Sequence, residues 1–301
     1  VYMDKALEYA KRDDVIIATF GDMLKVPGSY SSLSEAQTQG AHIHVIYTPL
    51  EVLALSKKHP DKYIVFLAIG FETTIAVIGA TVKAVAQAGV KNVLFLVSHK
   101  LVPPALRGLL DRQVGQIDGF ILPGHVSVII GEKPYKFLPD EYKIPSCIAG
   151  FDGVEILSAI VNILEQRKSG HFEVGNTYHS VVMKEGNPVA VRMMNEIYDV
   201  CDDAWRGIGI IPNSGLQLND DYAFLDAEKV LPIQLEKPSL DPKGCQCGSV
   251  LQGLIKPNEC PLFGKACTPD HAVGACMVSV EGSCAAWYKY GFSSGGLAWE
   301  D

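Results

Sequence analysis

Six short apolar runs punctuate the first half of the chain, each closed by small and polar residues. They are VIIATFGD (15–22), IHVIYTP (43–49), YIVFLAIGFETT (63–74), NVLFLVSHK (92–100), IDGFILPGHVS (117–127) and IPSCIAGFDG (144–153). Continuous rather than alternating apolarity predicts strands buried on both faces, as in a parallel sheet. Helical periodicity fills the gaps. Ile75, Ile78, Val82 and Val85 fall on one helix face ahead of Gly89. Leu157, Ile160, Val161 and Leu164 do the same within 153–168, with Arg167 and Lys168 in the last turn and Gly170 as the stop. Further helices are predicted over 3–11, over 35–39 behind a Ser32 or Ser34 cap, up to Lys58, from Pro103-Pro104 onward, and over 187–199. Strands alternating with helices predict an α/β fold with right-handed crossovers. Beyond Trp205 the alternation fades. WRGIGIIPNSGLQL (205–218) reads as one strand-like piece, and EKPSLDPKG (236–244) reads as a linker.

The polar residues concentrate at the carboxyl ends of these strands, where open parallel sheets place their ligand crevice. Those ends carry Asp22, Glu72-Thr73-Thr74, His99-Lys100 and Pro123-Gly124-His125-Val126-Ser127. Thr73 and Thr74 open a helix whose free N–H groups suit negative charge, and His99, Lys100 and His125 offer protons or ligands. Each residue alone has a plain reading as a cap or turn residue. Together they predict a binding cleft.

Composition narrows the classes. The chain has 301 residues, 48% apolar and 20% charged, with a net charge of −8. Ordinary globular balance points to two or three domains, and the acidic excess argues against nucleic-acid or anionic-membrane surfaces. No apolar run reaches the ~18 residues of a membrane span. No secretory leader opens the chain, although a start at Val1 reads as the start of a fragment.

Six of the eight cysteines fall between Cys245 and Cys284: Cys245, Cys247, Cys260, Cys267, Cys276 and Cys284. Cysteines that merely pack are scattered, so such clustering points to metal, redox chemistry or disulfides. No C-x-x-C pair is present, which favours an iron–sulfur site over a zinc ribbon. Six divides naturally into four ligands and a dithiol. Three structural disulfides and a zinc-stabilised binding module are the other readings.

Long words in the chain resemble the [NiFe]-hydrogenase maturation factor HypD family. They are GDMLKVPGS (21–29), VFLAIGFETT (65–74), SHKLVPPAL (98–106), IDGFILPGHVSVIIG (117–131), WRGIGIIPNSGL (205–216), CPLFGKACTP (260–269) and GACMVSVEGSCAAWYKYG (274–291). The resemblance implies an α/β protein of two parallel-sheet domains facing across a cleft, with a C-terminal loop-rich iron–sulfur domain. The expected spans are 1–58 for the remainder of the first domain, 59–235 for the second and 236–301 for the cluster domain. It implies a [4Fe–4S] cluster on Cys245, Cys260, Cys267 and Cys284, and a redox pair of Cys247 and Cys276. It implies cleft roles for Glu72, Thr73, Thr74, His99, Lys100, Pro123, Gly124, His125 and Ser127, with Asp22 facing them. The implied task is cytoplasmic. With the chaperone HypC, the protein holds an iron while it becomes an Fe(CN)2CO group, with cyanides from HypE, and the group passes to the hydrogenase large subunit. The family carries Cys-Gly-x-His and Cys-Pro-x-Cys motifs upstream, the first supplying the iron-binding cysteine. This chain lacks both, so a truncated sequence is expected. It also has Ile75-Ala76 and Asp152-Gly153 where the family has Ala-Pro and Glu-Pro. The alternative is an iron–sulfur-dependent protein disulfide reductase.

Overall fold

The computed structural model describes residues 1–112, 117–239 and 242–291. Part of the expected linker (240–241) and the last part of the expected cluster domain (292–301) lie outside the described residues. Helix α1 (Tyr2–Ala10) leads into strand β1 (Val15–Thr19), and α2 (Leu33–Thr38) into β2 (Ile43–Val45). Then follow α3 (Glu51–Lys58), β3 (Tyr63–Gly70), α4 (Glu72–Gln87), β4 (Val93–Lys100) and α5 (Val102–Asp111). A second run comprises β5 (Phe120–Pro123), α6 (Gly124–Ile130), α7 (Phe137–Asp140), β6 (Ser146–Ala149), α8 (Gly153–Ser169) and β7 (Val174–Asn176). Helix α9 (Pro188–Ile197) precedes strands β8 (Tyr198–Trp205) and β9 (Gly209–Leu218), then α10 (Ala227–Val230). The cysteine-rich end holds α11 (Cys247–Leu251), α12 (Ala275–Val278) and α13 (Ser283–Tyr290).

The strands form two sheets. One has the order β2-β1-β3-β4-β9-β8, the other β5-β6-β7. Strands β2, β1, β3 and β4 are mutually parallel, as are β5, β6 and β7. The central strands β1, β3 and β4 of the larger sheet are buried on both faces, which explains their unbroken apolar runs. Ile16, Phe66 and Phe95 face one core with Ile75, Ile78, Val82 and Val85 of α4, and Phe20–Phe66–Phe95 stack edge to face. Ile17, Val65, Leu67 and Leu94 face the other core with Tyr9 of α1.

The boundary between the two sheets does not lie at residue 58. Strand β1 pairs with both β2 and β3, so residues on either side of 58 share one sheet, while β5–β7 form the other. The strand-like piece expected at 205–218 is strand β9 from Gly209 to Leu218, and the residues before it form a further strand, β8, that makes a hairpin with it. Strand β9 pairs antiparallel with β8 along its length and with β4 at His99 and Lys100. One expectation needs correction: helix α8 exists with its predicted Gly170 stop, a left-handed residue (φ 71°), but it packs on a different face. Only Ala159 and Gln166 are buried, while Leu157, Val161 and Leu164 are 64%, 52% and 59% exposed. The face against the sheet is Ala159, Asn162, Ile163 and Gln166. A Cβ at Gly119 would lie 2.8 Å from the Ile163 side chain, and Gln166 donates to the Ser146 carbonyl (3.1 Å) and accepts from Glu173 N–H (2.9 Å).

The described part of the segment expected as a linker lies along α1. Lys11 pairs with Glu236 (2.8 Å), Tyr30 donates to the Pro238 carbonyl (2.9 Å), and Ser239 donates to Asp4 (2.5 Å).

Candidate functional site

The polar strand ends are not equally exposed. Glu72 opens α4 and is only 1% exposed. Its Oε1 accepts from the Val102 N–H at the start of α5 (2.9 Å), tying the ends of β3 and β4 together. Its Oε2 is buried with no hydrogen-bond partner among the described residues, as is the hydroxyl of Tyr135. Burial pushes the Glu72 carboxyl up to about 7, outweighing the backbone donors at its own helix start and at Val102. Tyr135 is held well above the usual phenol range by burial; Ser127 pulls it down and the nearby Glu72 charge raises it. Glu72, Ser127 and Tyr135 are thus buried near one another, where α4 packs on α6. The Ser127 hydroxyl donates to the Pro123 carbonyl (2.8 Å). Thr74 lies against Gly70, whose φ of +142° and closeness to the Thr74 side chain (2.7 Å from a Cβ placed there) require glycine.

His99 faces inward. It is fully buried, its Nε2 lies 3.2 Å from the Tyr198 hydroxyl, and burial pushes its imidazole down to about 3, so it is neutral. Lys100 binds Asp203 (2.5 Å) and the Ala204 carbonyl (2.9 Å), and its ammonium sits 5.8 Å from the centre of the Trp205 ring. His125 is exposed and stacks on Phe151 across 4.1 Å. Gly124 is buried against the Ala149 carbonyl, Thr73 is half-buried, and Asp22 is exposed in the turn after β1. The structure thus gathers Glu72 and Ser127, buries His99 against Tyr198, and engages Lys100 with the hairpin. The residues that composition did not single out are Tyr135, Tyr198 and Asp203. Their chemistry comes from burial or pairing across the chain, which local patterns do not carry.

The six clustered cysteines come together in one small module. All are free thiols. Cys247 Sγ donates to Cys276 Sγ at 2.7 Å, and Cys276 Sγ to Cys284 Sγ at 3.1 Å. Burial raises the Cys245 thiol, and Cys247, Cys260 and Cys267 are near enough to raise it further. The hydrogen bond to Cys276, with burial, holds Cys247 well above the usual thiol range. Cys276 is pulled down by Cys247, but Cys284 and burial outweigh this and push it up to about 12. The Val273 N–H donates to Cys267 Sγ (3.4 Å). The shell is apolar: Val250, Ile255, Leu262, Phe263, Val273 and Met277. A Cβ at Gly274 would lie 2.7 Å from Cys245 Sγ, so a larger residue there would displace that sulfur.

Among the described residues, no group of three or more His, Cys, Asp or Glu is arranged to hold a metal ion. An iron–sulfur cluster asks for something different, thiolates spread around a volume rather than converging on a point. Soft thiol donors, an apolar shell and an N–H to sulfur fit that demand.

The β8–β9 hairpin joins the two regions. Its strands carry Asp203 and Trp205 to Lys100, and its turn carries Arg206 and Gly207 to the cysteine module. The Trp205 indole donates to Ser214 (2.8 Å). Arg206 donates to the Pro27 carbonyl (3.5 Å), and its charge bears on Cys247.

Fold and site together define a cysteine-rich α/β protein in which a compact thiol module is docked on the polar edge of a parallel sheet. A family model described as "Hydrogenase formation hypA family" (HypD) matches residues 1–291. The chain is 39% identical over 289 residues to the hydrogenase maturation factor HypD of Escherichia coli K12, covering 96% of this chain and 77% of that protein. It is 40% identical over 296 residues to the hydrogenase expression/formation protein HupD of Azotobacter chroococcum, covering 96% and 78%. It is 39% identical over 297 residues to HypD of Cupriavidus necator, again covering 96% and 78%. The chain belongs to the HypD family of hydrogenase maturation factors. No described helix is long and apolar enough to cross a membrane.

Proposed function

We propose that this chain is a redox-active assembly scaffold for the iron group of [NiFe]-hydrogenases. With HypC it holds the substrate iron while two cyanides, supplied through HypE, and one carbon monoxide are attached, and the Fe(CN)2CO group is passed to the hydrogenase large subunit. Cys245, Cys260, Cys267 and Cys284 would hold a [4Fe–4S] cluster, which supplies single electrons when bound. Cys247 and Cys276 form the dithiol. Closing it releases two electrons and two protons as one S–S bond forms, and opening it reverses that balance.

The observation that carries the reading is the sulfur arrangement. Cys276 touches Cys247 on one side and Cys284 on the other, so the pair lies directly against a cluster ligand. The strand-end residues Thr73, Thr74, Lys100 and His125 would line the cleft for the substrate iron, with Asp22 opposite, and the buried Glu72 and Ser127 would support it from beneath. His99 supports that edge from within through Tyr198. Anaerobic purification with iron and sulfide analysis tests the cluster. Stoichiometric zinc in a colourless protein, without broad absorbance near ~400 nm, would refute it. Co-purification with HypC tests the scaffold.

The same dithiol supports a second reading, an iron–sulfur-dependent protein disulfide reductase. Disulfide-reductase turnover by a protein that binds no HypC would favour it.

A further inference from the structure

We propose that Gly207 and Gly248 form a side-chain-free seat that positions the cysteine module on the sheet edge, and that they are positioning residues for the dithiol. The inference rests on the dithiol role proposed above. Gly207 occupies the turn of the β8–β9 hairpin at φ +75°, and Gly248 follows Cys247 in α11. A Cβ at Gly207 would lie 2.7 Å from Gly248 Cα and 2.8 Å from its nitrogen. A Cβ at Gly248 would lie 2.6 Å from the Gly207 carbonyl carbon and 2.8 Å from its Cα. Every one of these contacts is backbone on backbone. No side chain can rotate out of the way, so any substituent must part the two segments.

What the seat aligns is chemical rather than merely structural. One side holds Trp205 and Arg206. Trp205 lies beside Lys100, itself fixed by Asp203, and Arg206 reaches the Pro27 carbonyl. The other side holds Cys247, 7% exposed and 2.7 Å from Cys276. The hairpin turn is thus the place where the polar end of β4, the loop after β1 and the dithiol are brought together. Parting Gly207 from Gly248 leaves the module's own packing intact but withdraws Cys247 from that junction.

Gly248→Ala gives the decisive variant, because alanine is the better helix former within α11 and its φ is not left-handed. Any loosening it causes therefore comes from the seat. The readout is the rate of maleimide alkylation at each cysteine of the reduced full chain, resolved by mass spectrometry. Cys147, fully buried in the smaller sheet, reports on the body, and Cys267 reports on the module's interior. Gly248→Ala and Gly207→Ala are each expected to raise the rate at Cys247 about tenfold or more through local opening, with Cys147 and Cys267 unchanged. The double variant is expected to react no faster than the faster single variant, since both break one contact. Gly153→Ala, where a Cβ meets open space, serves as the neutral control. A Cys247 rate within about twofold of the parent in Gly248→Ala overturns the proposal, because the contact is then not limiting. So does an equal rise at Cys147 or Cys267, which would make the glycines supports of the fold at large. A colourless, iron-free protein would defeat the cluster reading and leave these rates untouched.

Discussion

The sulfurs of Cys276 and Cys284 lie 3.1 Å apart, so the residue proposed to switch touches a residue proposed to ligate. That contact separates two kinds of cysteine substitution. Cys260→Ala removes a ligand and is expected to abolish cluster binding, seen as loss of iron, sulfide and visible absorbance. Cys247→Ala removes only half of the dithiol. It is expected to retain the cluster and lose electron relay to the pair, measured as failure of the reduced cluster to be reoxidised by the protein's own disulfide. Equal cluster loss in both variants would contradict the division into four and two.

Glu72 should make stability depend on pH. Its ordinary pKa is 4.5 and burial raises it to about 7 in the folded chain. Below pH 4.5 both folded and unfolded chains hold the proton. Between pH 4.5 and about 7 the folded chain alone holds it, so this contribution to stability falls as pH rises through that window. The whole effect is on the order of 3 kcal/mol at most. His99 works with the opposite sign. Its pKa falls from 6.5 to about 3, so its contribution is lost as pH falls between those values. The clean measurement is therefore the difference between the parent and Glu72→Gln in urea melts from pH 5 to 8. The amide keeps the acceptor for Val102 N–H and cannot ionise. Its stability relative to the parent should improve as pH rises, and a difference independent of pH would refute the buried titration.

Much of the body was legible because its signals are local. Ile75, Ile78, Val82 and Val85 marked the buried face of α4, since a helix over a wide sheet buries its bulkiest stripe. The same rule chose the wrong face of α8. There the helix lies close on a three-stranded sheet, and only Ala159, Ile163 and the polar Asn162 and Gln166 suit the approach beside Gly119 and Gly175. Strand β8 was hidden because YDVCDDAW carries three carboxylates and little β-branching; its pairing comes from β9, not from its own composition. The cysteine cluster was obvious from spacing. Its contact with the hairpin was not, because two glycines leave no chemical signature until the backbone brings them together.

The α8 packing makes a stability prediction of its own. Leu157→Gln and Leu164→Gln alter exposed positions and should cost within about 0.5 kcal/mol. Ala159→Leu forces bulk between the helix and Cys147 and Ala149, and should cost about 1–3 kcal/mol. Chemical denaturation of the three variants decides the face. The reverse order would restore the leucine stripe to the core.

Lys100 and Asp203 should be energetically coupled as strongly as the best surface pairs. Their side chains are only 19% and 27% exposed, and the ammonium also binds the Ala204 carbonyl beside the Trp205 ring. Asp203→Asn alone leaves that ammonium half-buried beside a neutral partner, and Lys100→Met alone leaves the carboxylate unpaired. A double-mutant cycle on these changes is expected to give a coupling of about 1 kcal/mol, at the upper end for exposed pairs. Trp205 fluorescence, read in the same samples, should shift in both single variants, because each releases the end of the hairpin from β4. Additive energies together with an unchanged spectrum would mean that β9 pairing alone holds the hairpin and that the Lys100–Asp203 pair adds nothing to it.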